Sequence, residues 1–304
     1  GQILEGNKTI TAITKANPGV ITCSSHDYLT GDEINISSIV GMTELNNKRF
    51  LVVKIDANTF SLTDVDGVAI NTTNFTTYGS AGTMNRVFQI TTTYTTAEIF
   101  DLKFAQSADV MYITHPNHQT RKLSRTGHTT WTLAAVEFTN GPFLDTNVST
   151  TTLTPASAGV GTGVNVTASA VAGVNGGSGF LTTDVGRQIR IGDGYGIITA
   201  RTNTTVVVVT VTTAFANANA NTDWSLGAFS TTTGFPSCVS FFEQRLVFAA
   251  SINNPQTVYF SKSGDYENMD ANIGGTVADD DAIIYTIASN QVNAIRFMSS
   301  ARTL

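Results

Sequence analysis

Apolar and polar residues alternate along most of the chain in short runs, and the runs are cut by Asn, Asp, Gly and Pro. That rhythm puts every second side chain on one face of a strand, so the chain reads as all-β with very little helix. In TITAITKANPGVITCSS (9–25) two alternating runs flank a break at Asn17-Pro18-Gly19. GDEINISSI (31–39) is a turn feeding a strand with Ile34, Ile36 and Ile39 as its apolar positions. RFLVVKIDANTFSLTDVDG (49–67) gives two more strands around Asp56-Ala57-Asn58. Short strands so closely spaced predict a small barrel or sandwich over 7–86, after a leading segment at 1–6.

The pattern then changes. Thr95-Thr96-Ala97-Glu98 has capping-box spacing and predicts one short helix near 96–101. ADVMYITH, QTRKLSRTG and TTWTLAAVEF predict an antiparallel meander, joined at Pro116-Asn117 and Gly127-His128. Residues 145–223 form another module. Its first part is nearly free of charge, and regular Val spacing there predicts thin strands. Its second, RQIRIGDGYGIITARTNTTVVVVTVTTAF, reads strand, turn, strand, turn, strand. From Trp224 the earlier style returns, with a hairpin in VSFFEQRLVFAAS and PQTVYFSKSG, and two further strands in IIYTIASNQVNAIRFM. A scaffold made of 87–144 and 224–304 is thus interrupted by an inserted module.

A phrase repeats within that scaffold. QTRKLSRTG (119–127) and QTVYFSKSG (256–264) share Gln-Thr, an apolar residue, Ser, a basic residue, a hydroxyl residue and Gly. Both follow a strand and a turn containing Pro, so each reads as a return strand. Leu123 and Phe260 then fill equivalent apolar sites, and Gly127 and Gly264 make the turns. Repeated strand–turn–strand units are the mark of a β-propeller-like array, the number of blades staying open.

Composition narrows the function. Asp and Glu total 23 against 17 Lys and Arg, a net charge of −6. No basic stripe offers phosphate neutralisation, which argues against gripping nucleic acid. The chain is expected to have no membrane span, since no apolar run is long enough. Cys23 and Cys238 do not make a disulfide framework. The ending NAIRFMSSARTL breaks off within a strand-like pattern, so the chain is expected to continue beyond 304.

Candidate chemistry is sparse. His115, His118 and His128 cluster in sequence, but read best as turn histidines rather than metal ligands. Asp64-Val65-Asp66-Gly67 opens like a calcium loop without its later ligands. GVNGGSG and GDGYG lack the Lys-Ser or Lys-Thr of a phosphate cradle. No catalytic, cofactor or metal residue is expected. Asp279, Asp280 and Asp281 form the densest acidic patch, a loop or a channel-facing patch. Arg245, Asp265, Tyr266 and Glu267 are the candidate contacts of a loop or a neighbouring subunit, placed at the hairpin ends of one blade.

Two resemblances follow. TGDEINIS, GMTELNNKRFLV and ANTFSL resemble the small β-barrel half-domain named from ubiquitin-activating enzymes; only its fold is carried over. DLKFAQSADVMYITHPNHQTRKLSRTG, TWTL and GFPSCVSFFEQRLVFAASINNPQTVYFSKSGDYENM resemble the tail tubular protein B, or tail nozzle, family of short-tailed bacteriophages. That second resemblance covers about 87–142 and 224–304. It implies a non-enzymatic virion protein of the phage tail: a ring, hexameric in the family, below the portal and a head-to-tail adaptor protein. It further implies double-stranded DNA passing through the channel without sequence-specific binding, and tail fibres or spikes anchored outside. A host-binding adhesin or fibre protein is the alternative, and a polysaccharide-degrading tail enzyme the second.

Overall fold

A computed structural model describes residues 3–273, 275–288 and 293–300. It is all-β, as the alternation requires, and its contacts divide it into two compact units. The first comprises Gly1–Thr91 with Thr126–Trp131; the second comprises Thr92–Arg125 with Thr132–Leu304.

The first unit is one curled antiparallel sheet of seven strands: β1 (Lys8–Thr9), β2 (Ala12–Ile13), β3 (Val20–Thr22), β4 (Glu33–Val40), β5 (Lys48–Lys54), β6 (Thr59–Thr63) and β7 (Ser80–Arg86). Their spatial order is β1-β7-β4-β5-β6-β3-β2. Ile34, Ile36 and Ile39 all enter the core with Phe50, Val52, Phe60 and Met84. A regular strand would put 36 and 39 on opposite faces. Here Ser38 turns to φ 62° while Ala81 and Gly82 on β7 take φ 59° and 104°, so both strands distort together and the register is kept from Ser37↔Thr83 to Ile39↔Ala81. The turn at 56–58 is closed by Asp56, whose carboxylate accepts the N–H groups of Asn58 (2.7 Å) and Thr59 (2.8 Å). Those donors hold its acid below the usual carboxylate range.

Thr72 fastens the chain around Pro18. Its buried hydroxyl donates to the Thr14 carbonyl (2.7 Å) and accepts the Ala16 N–H (3.1 Å). Thr72→Val keeps the shape and strands both partners, so it should lower stability by about 1–2 kcal/mol in urea denaturation. An unchanged midpoint would mean the hydroxyl is dispensable.

The second unit holds three sheets. β8 (Lys103–Ser107), β9 (Val110–His115), β10 (His118–Arg125) and β11 (Trp131–Ala135) form a simple four-stranded meander. The inserted module contributes β12 (Leu153–Pro155), β13 (Gly161–Ala168), β14 (Gln188–Ile191), β15 (Gly194–Arg201), β16 (Val206–Thr213) and β17 (Trp224–Leu226). Their order is β12-β13-β16-β15-β14-β17. The last sheet is a second meander, β18 (Cys238–Phe242), β19 (Arg245–Ala249), β20 (Thr257–Phe260) and β21 (Ile283–Thr286). The two meanders share one core, in which Tyr112 and Val136 meet Val239, Leu246, Phe248 and Tyr259.

Both copies of the repeated phrase are the third strand of a meander. Leu123 lies opposite Met111 and Phe260 opposite Val247, and the preceding Thr120 and Thr257 are both buried. The echo in sequence is therefore an echo in position.

Several expectations change. No helix forms at 96–101; Glu98 N–H bonds Thr95 O and Asp101 N–H bonds Glu98 O, two successive turns. The capping box forms by half. The Glu98 carboxylate takes the Thr95 N–H, but the Thr95 hydroxyl also donates to it. Ile99 and Phe100 are exposed, so the segment has no buried face to hold a helix. β8 was not legible because Phe104 points outward while Lys103 and Ala105 are half-buried. Of the two strands expected after 282, the described residues contain β21; 289–292 lie outside them, and 293–300 is irregular. Gly264 adopts φ 75°, as a tight turn asks, whereas Gly127 does not have a positive φ. Trp224–Leu226, read as the head of the second scaffold segment, pairs with β14 instead, so the module's sheet runs to Leu226.

Candidate functional site

The residues singled out after the second phrase fall at one end of the β18–β21 meander. Arg245 opens β19, opposite Phe242 across the Glu243–Gln244 turn. Its guanidinium is buried and spent on backbone oxygens. One nitrogen donates to Ser261 O (2.7 Å) and Asp281 O (2.6 Å), the other to Asp279 O (2.6 Å). A planar fork suits several carbonyls at once. The acidic triplet is thus pinned by its main chain. Asp279 and Asp280 project into solvent, while the Asp281 side chain is buried on Lys262 (2.7 Å).

The Lys262 bond, aided by the Ala278 N–H, holds the Asp281 acid below the ordinary carboxylate range. A depressed carboxylate stabilises the fold fully above its unfolded pKa of about 4. That contribution is lost as pH falls through the folded value. Thermal unfolding between pH 6 and 3 should therefore show a fall in stability that Asp281→Asn flattens. Equal slopes in both proteins would show that the pairing is not linked to folding.

Tyr266 and Glu267 join the two meanders. The Tyr266 ring meets Phe241 edge-on at 5.0 Å, and Phe241 meets Tyr112 at 6.1 Å. The Glu267 carboxylate accepts Lys122 Nζ (2.7 and 2.8 Å) from β10 and the Tyr112 hydroxyl (3.0 Å) from β9. Burial, and then the Glu267 charge, push the Tyr112 phenol up. Asp265 stays within its own turn, accepting Asn268 Nδ2 at 3.1 Å. So Arg245, Lys262 and the 279–281 loop form one cluster, and Tyr266 and Glu267 form a second beside β9 and β10.

One face of the β18–β21 meander is apolar and open. Phe242, Val247, Phe260, Ile283, Tyr285 and Phe297 line a groove of about 650 Å³. Ile283, Tyr285 and Phe297 are exposed. The groove leaves a run of large apolar side chains uncovered on this sheet face.

Sequence reasoning missed a fully buried ion pair. Arg187 and Asp184 are fully enclosed and paired at 2.9 Å. Asp184 also accepts Leu181 N–H (2.8 Å), Asn175 Nδ2 (2.7 Å) and the Thr232 hydroxyl (2.7 Å). Arg187 donates to Gly227 O and Asn175 Oδ1, both at 2.7 Å. The module is thereby tied to the segment that resumes the scaffold. The readable signal is that Asp184 and Arg187 are the first charges after the uncharged run 146–183.

The remaining candidates resolve individually. His115 and His118 flank the β9–β10 turn, and His118 Nε2 bonds Glu98 Oε1 at 2.8 Å. His128 belongs to the first unit, where its Nε2 donates to Leu4 O (3.2 Å). Asp64 spends its carboxylate on the N–H groups of Asp66 (3.0 Å) and Val68 (2.8 Å), closing a turn. Cys23 and Cys238 are buried free thiols, both pushed up by burial.

Comparison with known proteins gives matches of two kinds. Residues 16–87 match the model of the ubiquitin-activating enzyme E1 FCCH domain, all within the first unit. The ubiquitin-like modifier-activating enzyme 1 of Oryctolagus cuniculus is 35% identical over 82 residues, and that of Homo sapiens 34% over 82 residues. Each alignment covers 26% of this chain and 7% of the enzyme, so the chain spans a small fraction of those proteins. Among solved structures, the phage phi92 endosialidase aligns with 98% of this chain and 54% of its own, at 12% identity and a TM-score of 0.21. A superposition at that score does not establish a shared fold. The first unit is therefore similar to an FCCH domain over β3 to β7.

Proposed function

We propose that the chain is a structural protein of a bacteriophage tail, and more specifically a subunit of the tail nozzle ring. One observation carries this reading. The phrases that resemble the tail tubular protein B family lie on the two meanders and supply the side chains that lock them together: Tyr112 and Lys122 from one, Phe241, Tyr266 and Glu267 from the other. The open apolar groove on β18–β21 gives a neighbouring subunit a surface to cover. An acidic chain lining a channel lets DNA slide rather than stick, because it offers few phosphate-neutralising cations. In this reading the ring is a hexamer seated on the adaptor, the genome passes through it, and fibres attach outside. The first unit and the inserted module decorate the ring.

Negative-stain imaging of the full chain, alone and with portal and adaptor, tests this. A closed ring with a central hole is the expected result. A discrete trimer would replace it with the fibre reading. Cleavage of host polysaccharide, abolished by one Asp or Glu substitution, would replace it with an enzyme.

A further inference from the structure

We propose that Glu98, His115 and His118 form a binding site for one zinc-type divalent cation. The sequence alone offers His-x-x-His in a turn, which needs no metal. The structure adds a third donor and a shape. His115 and His118 face each other as direct partners across the two-residue turn, at the end of β9 and the start of β10. Cross-strand partners present their side chains on the same sheet face, and the two rings lie 5.0 Å apart. Glu98 arrives from the turn segment before β8, and the ligand atoms of all three residues lie within 4.8 Å of one another.

The carboxylate is already oriented. Its Oε2 accepts the Thr95 N–H (2.9 Å) and the Thr95 hydroxyl (2.8 Å), which leaves Oε1 turned toward His118. Metal sites use such outer hydrogen bonds to aim their ligands. Tyr94 walls the site, with its ring 5.2 Å from His118 and 6.4 Å from His115, and its enclosed hydroxyl has no partner.

Two imidazoles and a carboxylate are a zinc donor set, with bonds of about 2.0–2.2 Å and an open fourth position. Tetrahedral ligands at that length sit roughly 3.3 Å apart. The rings and carboxylate must therefore draw together, while the His118–Glu98 contact opens slightly. Two existing hydrogen bonds are given up. Binding through His118 Nε2 displaces the proton that it donates to Glu98 Oε1. His115 Nδ1 accepts the Asn117 N–H at 3.2 Å. Whether the metal takes Nδ1 or Nε2, that lone pair is no longer offered to Asn117. Asn117 is exposed, so water replaces the bond.

The test is titration of the metal-free full chain with Zn²⁺ by calorimetry and with Co²⁺ by visible absorption. The expected result is one ion per chain and the absorption bands of low-coordinate Co²⁺. Glu98→Gln, His115→Gln and His118→Gln should each weaken binding by about 100-fold, and Thr95→Val by about 10-fold. His128→Gln, in the other unit, should leave it unchanged. Circular dichroism establishes that each variant is folded. Should one not fold, the wild-type titration still decides. Absence of saturable binding, or binding that survives both Glu98→Gln and His118→Gln, would reduce the cluster to a hydrogen-bonded turn and overturn the site.

Discussion

Asp184→Ala should destabilise the second unit by about 3–5 kcal/mol, the cost of leaving a buried guanidinium without its counter-charge. Arg187 has nowhere to go. Its side chain is fully enclosed, and one of its terminal nitrogens already lacks a partner. Removing Asp184 also strands the Leu181 N–H and takes one bond each from Asn175 Nδ2, which keeps Gly179 O, and from the Thr232 hydroxyl, which keeps Thr183 Oγ1. Burial already works against the charge on Arg187, and Asp184 works to keep it. A double variant, Asp184→Leu with Arg187→Met, should be less destabilised than either single change, because it takes both charges out of the interior. Urea denaturation of the four proteins closes the cycle. If the double variant loses as much as the two singles together, the pair is not coupled and the argument fails.

Arg245→Ala should cost about 3 kcal/mol and free the 279–281 loop. The side chain bonds three carbonyls at 2.6–2.7 Å, and hydrogen bonds to a charged group are the stronger kind. Once the guanidinium is gone, Asp279 O and Asp281 O lose their donor, and the Lys262–Asp281 pair loses the backbone that positions it. Amide exchange reports this directly. Ser263 N–H, bonded to Asp280 O, and Ala282 N–H, bonded to Asp270 O, should exchange much faster, while the β18–β19 amides stay protected. Arg245→Lys should recover only part of the loss, because a point charge cannot reach three oxygens from one plane. Protection of Ser263 unchanged in Arg245→Ala would show that the loop holds itself.

The strands with a clean period of two were legible in the sequence, and so was the meander order. Ile34 and Ile36 announce β4, and Val207, Val209 and Val211 announce β16, because each buries every second residue. The repeated phrase marks a return strand in both meanders; that it is the third strand of each appears only in the fold. Elements that break the period were lost. β8 turns its one large apolar residue outward, and 95–101 has capping chemistry without a face to bury. The site residues split the same way. The place of Arg245 at a hairpin end needed no more than the hairpin, but its hold on the 279–281 carbonyls has no sequence signal. The bonds of Glu267 to Lys122 and Tyr112 span 145 and 155 residues, and a local pattern holds no information about such pairings. The Arg187 network was hidden for a related reason. Its partners Asn175, Thr232 and the Gly227 carbonyl are unremarkable residues that only the folded chain brings together.

The inserted module leaves and re-enters the scaffold through one doorway. Phe143 and Gly227 form a two-residue bridge, Leu144 N–H bonds Leu226 O, and Ala228 N–H bonds Pro142 O. The two crossings of the chain are therefore hydrogen-bonded neighbours although some eighty residues separate them in sequence. Beyond this bridge, Asp184 accepts the Thr232 hydroxyl and Gln188 bonds Phe138 O and Gly141 N–H, contacts that a replacement must keep or supply anew. A segment mounted this way works as an exchangeable cassette. It can lengthen, shrink or be replaced by another domain whose ends meet, at a closure cost that grows only with the logarithm of its length. The meanders can then keep their register while the cassette changes.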